Sequence, residues 1–451
     1  MNIIIVGCGK IGQSIVKQLS MEKHDITVVD KNPDVISDIT NNYDVMGYSG
    51  NGASYSVLKE AGVDKANLLI AVTNSDEINL LCCLFARKAG RCNTVARVRD
   101  PLYSKEIQYI KDELGLSMII NPEYTTATEI ARILRFPSAD KIETFAKGRV
   151  ELLHMVISED SPLVEKTLID VSKRIMPEIL VAAVERGEDV FIPNGAFILR
   201  AGDKITIVAS PVNAREFFTK IGYDTHQVKD AMIIGGGKVS YYLAEQLLRT
   251  GIRVKIVDWN REKCEKLSEL LPKANIINGD ATAQEVLVEE GINGCDSFVA
   301  LTGIDETNIF LSLFAKSCTQ GKIITKIDRI SFDDIINTFN LGSLIYPEKI
   351  TADYIVSYVR AMQNSLGSNV ESLSRLNGGK VEALEFKIKP ESPIVGIPLM
   401  DLKIKRNYLI ACINRQGNVS IPKGQTRIEG GDTVIVVTTQ TGLRDITDIL
   451  E

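Results

Sequence analysis

Histidine is almost absent from this 451-residue chain, occurring only at His24, His154 and His226. The three are scattered, so a His/Cys metal site is not expected. The eight cysteines (Cys8, Cys82, Cys83, Cys92, Cys264, Cys295, Cys318 and Cys412) form no C-x-x-C pair. Most sit inside apolar periodic stretches, which reads as small buried hydrophobes in a reducing cytosol, not as disulfides. No segment approaches the roughly 18 uninterrupted apolar residues that span a bilayer. The opening MNIIIVGCGK lacks a basic region and a cleavage site, so no secretion signal is expected. Positive charge is not in excess either. The net charge of -6 offers no field for nucleic acid or an anionic membrane. If the protein works at a membrane, an integral partner must hold it there.

What is present is ordinary globular composition, 45% hydrophobic and 24% charged, in a chain long enough for roughly three or four domains. Its strongest feature is an internal duplication. IIIVGCGKIG resembles MIIGGGKVSY, with Gly7 against Gly235, and Asp30 falls against Asp258, both 228 positions apart. SGNGASYSVLKEAGVDKANLLIAVTNSDEIN then resembles NGDATAQEVLVEEGINGCDSFVALTGIDETN. Gly62/Gly291, Thr73/Thr302, Asp76/Asp305 and Asn79/Asn308 are each 229 apart. SPLVEKTLIDV likewise resembles SPIVGIPLMDL, and Gly202-Asp203 matches Gly431-Asp432. The repeating unit is therefore a large domain followed by a small one.

In each large domain, apolar runs such as NIIIV and ANLLIAVT alternate with helical spacing. The first unit reads as strands at 2–6, up to Asp30, near 44–48, at 66–73 and at 94–100. Helices fall between them, including one at 53–61 and one from about 76. This is a doubly wound parallel sheet of the Rossmann type, repeated over 230–347. A further amphipathic helix closes each unit, at about 125–135 and about 351–363. Either it packs on its own domain or it crosses to a partner domain. The short alternating runs VELLHMVI, KITIVAS, EALEFKI and TVIVVTT read as small α+β domains with antiparallel sheets. The expected division is 1–139, 140–225, 228–366 and 367–451. Pro137 and 364–367 lie near the entries to the small domains, and 222–229 is the expected linker between units.

Gly7-x-Gly9-x-x-Gly12 follows a strand, opens a helix and precedes an acid, Asp30, at the end of the next strand. Gly7 permits a tight turn, Gly9 lets backbone approach a pyrophosphate, and Gly12 lets helix and strand pack closely. Free N–H groups at the helix start favour an anion. Asp30 can accept from both ribose hydroxyls and would repel a 2′-phosphate, which favours NAD(H) over NADP(H). The second copy reads Gly235-x-Gly237-x-x-Ser240 with Asp258 retained. Gly50-Asn51 matches Gly279-Asp280 at the end of the third strand, while Thr73 and Thr302 end the fourth. Asp76/Glu77 and Asp305/Glu306 are expected to cap the helices they open. Arg97, Arg99 and Lys326, on or after the fifth strand, either meet phosphates or pair with carboxylates.

IVGCGKIG with Asp30, Gly279-Asp280-Ala281-Thr282, AVTNSDEIN, ARVRDP, Pro122-Glu123 and the two SPLV/SPIV…GD small domains resemble the RCK (regulator of potassium conductance, or KTN) family over essentially the whole chain. Asn51 stands where that family usually has aspartate, and Ser240 replaces its third glycine. The resemblance implies a regulator without catalytic residues. It would assemble as a homo-oligomeric ring on the cytoplasmic face of an integral-membrane potassium channel or transporter, and would respond to NAD+ or NADH, with ATP or ADP as further candidates. Motif and resemblance together select Gly7, Gly9, Lys10, Ile11, Gly12, Asp30, Asn51, Thr73, Asn74 and Arg97 for the first cleft. For the second they select Gly235, Gly237, Lys238, Val239, Asp258, Asp280, Ala281 and Thr302.

The rival is an NAD-dependent dehydrogenase, which needs a proton donor or acceptor beside the nicotinamide. No histidine recurs in both units and no Ser-Tyr-Lys pattern follows either fourth strand. A third reading keeps the regulatory role but assigns another ligand, such as cyclic di-AMP, to the small domains.

Overall fold

The run Asn2–Val6 is buried from Ile3 onward, as a central parallel strand covered on both faces must be. In the computed structural model the described residues are 1–22, 24–90, 92–100, 103, 106–135, 141–145, 150–174, 179–222, 228–329, 336, 339, 341–365, 370–376, 380–440, 443 and 445–451. Pro137, His226 and most of 222–229 lie outside them. The chain forms two compact units, each drawing on both halves of the sequence: 1–134 with 228–356, and 135–227 with 357–451.

The first half of the first unit runs β1 (Asn2–Val6), α1 (Lys10–Ser20), β2 (Asp25–Asp30), α2 (Pro33–Asn42), β3 (Met46–Ser49), α3 (Tyr55–Glu60), β4 (Leu68–Ala71), α4 (Asp76–Ala89), β5 (Asn93–Arg97), α5 (Ile107–Leu114), β6 (Met118–Ile120) and α6 (Pro122–Arg135). All strands pair in parallel in the order β3-β2-β1-β4-β5-β6. The reversal on either side of β1 is the doubly wound topology. Sequence periodicity anticipates five of these strands. It misses β6, whose three residues are too few to display a period.

The small domain between the two large ones contributes β7 (Lys141–Phe145), β8 (Val150–Val156), α7 (Leu168–Arg174), β9 (Leu180–Arg186), β10 (Asp189–Phe191), β11 (Lys204–Ala209) and α8 (Pro211–Lys220). The second large domain repeats the first: β12 (Asp230–Ile234), α9 (Lys238–Arg249), β13 (Arg253–Asp258), α10 (Arg261–Leu270), β14 (Asn275–Asn278), α11 (Gln284–Glu289), β15 (Ser297–Ala300), α12 (Asp305–Cys318), β16 (Lys322–Lys326), β17 (Ser343–Ile345) and α13 (Pro347–Ser365). Its sheet order is β14-β13-β12-β15-β16-β17. The last small domain holds β18 (Val370–Leu376), β19 (Val381–Lys387), β20 (Tyr408–Arg415), β21 (Asn418–Ser420) and β22 (Thr433–Thr438).

The first closing helix, α6, packs on the partner domain. Ala127, Ile130, Ile133 and Leu134 of α6 lie in one buried cluster with Ala231, Ile233, Tyr242, Leu243 and Leu247 of the second large domain. Asn121 Nδ2 donates to Tyr242 Oη at 3.1 Å and Gln246 Nε2 to Thr128 Oγ1 at 3.1 Å. In the opposite sense, Gln18 of α1 donates to Asp353 of α13 at 2.8 Å. Gln18 and Gln246 are 228 residues apart, so the exchange follows the repeat.

In the other unit the sheets are antiparallel, ordered β10-β9-β11-β8-β7 and β18-β19-β22-β20-β21. One face of the first sheet covers Phe217 and Phe218 of α8. Another cluster unites Phe145, Leu152, Ala183 and Val208 with Ala383, Ala411, Cys412 and Ile435, so the two small domains share a core. The repeated Gly-Asp pair gains its reason here. Buried Asp203 takes Arg186 Nε and Nη2 at 2.7 and 2.8 Å, and Asp432 takes Arg415 Nε and Nη2 at 2.9 and 2.9 Å. Such forked pairs fix geometry as well as energy.

All eight cysteines are free thiols, and only Cys318 is partly exposed. Burial pushes the thiols of Cys8, Cys82, Cys92 and Cys412 up to about 12 and that of Cys295 to about 11. Because the thiolate is the reactive form, iodoacetamide at pH 8 is expected to modify Cys318 rapidly and these five only after denaturation. Peptide mass mapping would read this directly, and fast native labelling of Cys8 or Cys82 would contradict the packing.

Candidate functional site

The turn between β1 and α1 is built by backbone constraints. Gly7 has φ +94°, and a Cβ there would lie 2.7 Å from Thr73 N. A Cβ at Gly12 would overlap the Gly7 carbonyl oxygen, whereas one at Gly9 would meet nothing within 4 Å. Gly7 and Gly12 are thus required by the fold, and Gly9 borders open space. Gly9 is the N-cap of α1, and no side chain caps the helix. The N–H groups of Lys10, Ile11 and Gly12 therefore start a helix whose dipole faces that space, an arrangement suited to a phosphate oxygen. Lys10 is exposed, and Ile11 is partly buried beside it.

Asp30 ends β2 and latches this turn. One carboxylate oxygen accepts from Cys8 N at 2.7 Å, the other from Asn32 N at 2.9 Å. Two partners leave lone pairs of a carboxylate unused, so it can still accept from ribose. Asn51, exposed after β3, closes a local turn by accepting from Ala53 N at 3.0 Å. Thr73 and Asn74 follow β4, Thr73 partly buried and Asn74 exposed.

The carboxyl edge is held by residues that motif reading passes over. Fully buried Asn79 accepts from Thr73 N and Thr73 Oγ1 at 2.8 and 2.7 Å and donates to Thr73 O and Arg97 O at 3.2 and 2.9 Å. It rivets β4, α4 and β5 together; its match with Asn308 across the repeat was the only sign of it. Asp76 does not cap α4. That role belongs to Ser75, which accepts from Ile78 N. Asp76 instead accepts from Arg99 N and Asp100 N at 2.8 and 2.9 Å, holding the segment after β5. Asp305 does the same for Asp328 N and Arg329 N.

The second cleft keeps the plan. Gly235 has φ +99°, Gly237 borders open space and N-caps α9 without a side-chain cap. Lys238 is exposed and Val239 packs against the apolar cluster behind α9. Asp258 accepts from Gly236 N at 2.6 Å and Asn260 N at 2.7 Å. Thr302 donates to Asn308 Oδ1 at 2.7 Å. Ser240 is accommodated because its hydroxyl donates to the Gly235 carbonyl oxygen, so the extra atom becomes a bond within the turn and stays out of the cleft. Asp280 accepts from Thr282 N and Oγ1 at 2.9 and 2.7 Å, which holds its carboxyl below the usual range. Ala281 is a core residue, buried with Val257 and Leu287, so only its backbone can face a ligand.

The two clefts differ in charge. Arg97 is buried, donates to Val72 O at 3.3 Å, and its Nε has no hydrogen-bond partner among the described residues. Burial, aided by neighbouring Arg99, lowers its pKa. Arg99 pairs with Glu123 at 2.6 Å and Lys326 with Asp328 at 2.6 Å, whereas Arg97 forms no carboxylate ion pair among the described residues. The clefts also touch the opposite domain. Lys10 reaches Glu348 Oε1 and Asp328 O at 3.2 Å each, and Lys238 lies 4.0 Å from Asp100.

Comparison with known proteins agrees with this arrangement. Residues 3–122 and 231–347 match the TrkA-N domain, and 152–222 and 383–451 the TrkA-C domain. The Trk system potassium uptake protein TrkA of Halomonas elongata is 32% identical over 451 residues, covering 99% of this chain and 98% of that one. Its namesake from Vibrio alginolyticus is 32% identical over 441 residues, covering 97% and 95%. Among solved structures, the GsuK channel superposes with a TM-score of 0.65 at 17% identity, covering 97% of this chain and 77% of that one. The GsuK channel bound to NAD gives 0.63 at 17% identity with the same coverage. At such identity the likeness establishes the fold alone.

Proposed function

Because the chain belongs to the TrkA family, with its TrkA-N and TrkA-C domains each present twice, we propose that it is the regulatory subunit of a potassium-uptake system. In this reading its clefts bind NAD(H) or a related adenine nucleotide, and their occupancy gates an integral-membrane potassium channel or transporter. One observation carries it: twice over, an uncapped helix start faces open space beside an unobstructed glycine, with a half-used carboxylate at the next strand end. The relatives named for potassium uptake and the NAD-bound fold neighbour support it.

Gly9 and the N–H groups of Lys10, Ile11 and Gly12 would hold a pyrophosphate, and Asp30 the adenosine ribose. Arg97, Thr73, Asn74 and Asn51 would complete the first cleft. Gly237, Lys238, Val239, Asp258, Asp280, Ala281 and Thr302 would do so in the second. The division into 1–139, 140–225, 228–366 and 367–451 belongs to the same reading. So does a place on the cytoplasmic face, in a ring held by the membrane partner; among the described residues no helix is long and apolar enough to cross a membrane. A nucleotide shifts gating only if it binds the open and closed arrangements unequally, and each tenfold preference supplies about 1.4 kcal/mol per site. The contacts of Lys10 with Glu348 and Asp328 give the first cleft a direct route to the other domain. No catalytic role is assigned: His24 precedes β2, at the sheet edge opposite the glycine turn, and supplies no acid or base there.

Asp30→Ala tests this. Losing a charged acceptor for ribose is worth about 1.5–3 kcal/mol, so NAD+ affinity at the first cleft should fall roughly 10- to 100-fold, with potassium flux through the co-reconstituted partner no longer tracking nucleotide. Unchanged affinity in calorimetric titration would remove the assignment.

A further inference from the structure

The chain has a single tryptophan, and it lies in the open. Trp259 is 73% exposed, whereas large aromatic side chains normally bury most of their surface. It directly follows Asp258 at the carboxyl edge of β13, the side of an open α/β sheet where ligands settle. Asp258 already grips the glycine turn through Gly236 N at 2.6 Å. Trp259 therefore stands one residue from the group that shapes the second cleft.

Its backbone is held with unusual care. Asn278 Nδ2 donates to Trp259 O at 3.0 Å and to Asp258 O at 3.1 Å. On the far side, Asn260 caps α10 by accepting from Lys263 N at 2.9 Å while its own N–H donates to Asp258 at 2.7 Å. In the first domain the same frame recurs: Asp30, then Asn32 capping α2 from Asp34 N at 3.0 Å. The residue between them is Lys31, exposed, and Ser49 replaces Asn278. The two copies share the scaffold and differ at its tip, a cation in the first and an indole in the second, where Asn278 supplies a further anchor beneath.

Resting on the nucleotide-binding reading above, we propose that Trp259 is the base-stacking platform of the second cleft. An adenine ring laid on the indole gains dispersion and desolvation that a lysine cannot supply, and a backbone already pinned loses little freedom on binding. The second cleft thus selects its nucleotide by the purine. The first, with exposed Lys31 in place of the indole, selects by phosphate charge.

The indole is its own reporter. AMP titrated into the full chain should quench tryptophan emission saturably, with calorimetry following both clefts. Gly237→Val should abolish the quenching and Gly9→Val should leave it. Trp259→Leu should weaken one class of AMP site roughly 5- to 100-fold, the range of aromatic–base stacking, and Trp259→Phe should recover most of it. Ribose 5-phosphate, which has no base, should bind wild type and Trp259→Leu alike. AMP heat that persists with unchanged emission and unchanged affinity in Trp259→Leu overturns the stacking role and leaves the nucleotide reading standing. No AMP, NAD+ or NADH heat in wild type overturns both.

Discussion

Valine in place of Gly9 is expected to leave the melting temperature of the chain unchanged while weakening nucleotide binding at the first cleft roughly 10- to 100-fold, the equivalent of about 1–3 kcal/mol of steric intrusion. The separation follows from geometry. Gly9 has φ -66° and ψ -171°, extended backbone that a β-branched residue adopts readily, and its Cβ would meet no protein atom within 4 Å. Nothing in the folded chain resists the new side chain; only a ligand drawn against the helix start would. Gly7 and Gly12 do not allow this test, since a Cβ at either strikes backbone and would confound binding with folding. Melting curves and calorimetric titration with NAD+ on the same sample decide it: retained affinity would mean that the open space beside Gly9 is not where phosphate sits.

Asn79→Leu should act in the opposite way, costing about 3 kcal/mol or more of stability by stranding buried polar groups at about 1–3 kcal/mol each. The amide serves Thr73 N, Thr73 Oγ1, Thr73 O and Arg97 O at once, with no solvent to replace it. Leucine has similar volume and none of these bonds. Because Asn308 makes the same set with Thr302 and Lys326 O, Asn308→Leu should destabilise by a similar amount. Denaturant midpoints of the two variants are the measurement, and a midpoint shift near zero for either would show that the rivet is not under load. Nucleotide affinity should drop as well, because Thr73 and Arg97 would lose their fixed positions at the cleft edge.

Asn79 also marks how far a linear reading reaches. It stands out in the sequence only as a repeat match, since an asparagine in the first turn of a helix is unremarkable by pattern. Asp76 shows the same limit: acid in a first helical turn reads as a cap, yet its bonds go to Arg99 N and Asp100 N, 23 and 24 residues away. The alternative for Arg97, Arg99 and Lys326 was open for that reason. Arg99 found Glu123 and Lys326 found Asp328, while buried Arg97 donates to the Val72 carbonyl and forms no carboxylate ion pair among the described residues. β6 escaped notice because three residues carry no period.

By itself the sequence determined the duplication, the doubly wound sheets, the antiparallel small domains and the two glycine turns with their acids. These depend on local quantities: hydrophobic period, the torsional freedom of glycine, and strand length. Only the tertiary structure decided that α6 and the second large domain share a core, that α1 meets α13, and that the small domains pool their apolar faces. Those outcomes depend on side chains more than a hundred residues apart arriving at the same few ångströms, and no periodicity along the chain encodes which of two equivalent apolar faces a helix will cover.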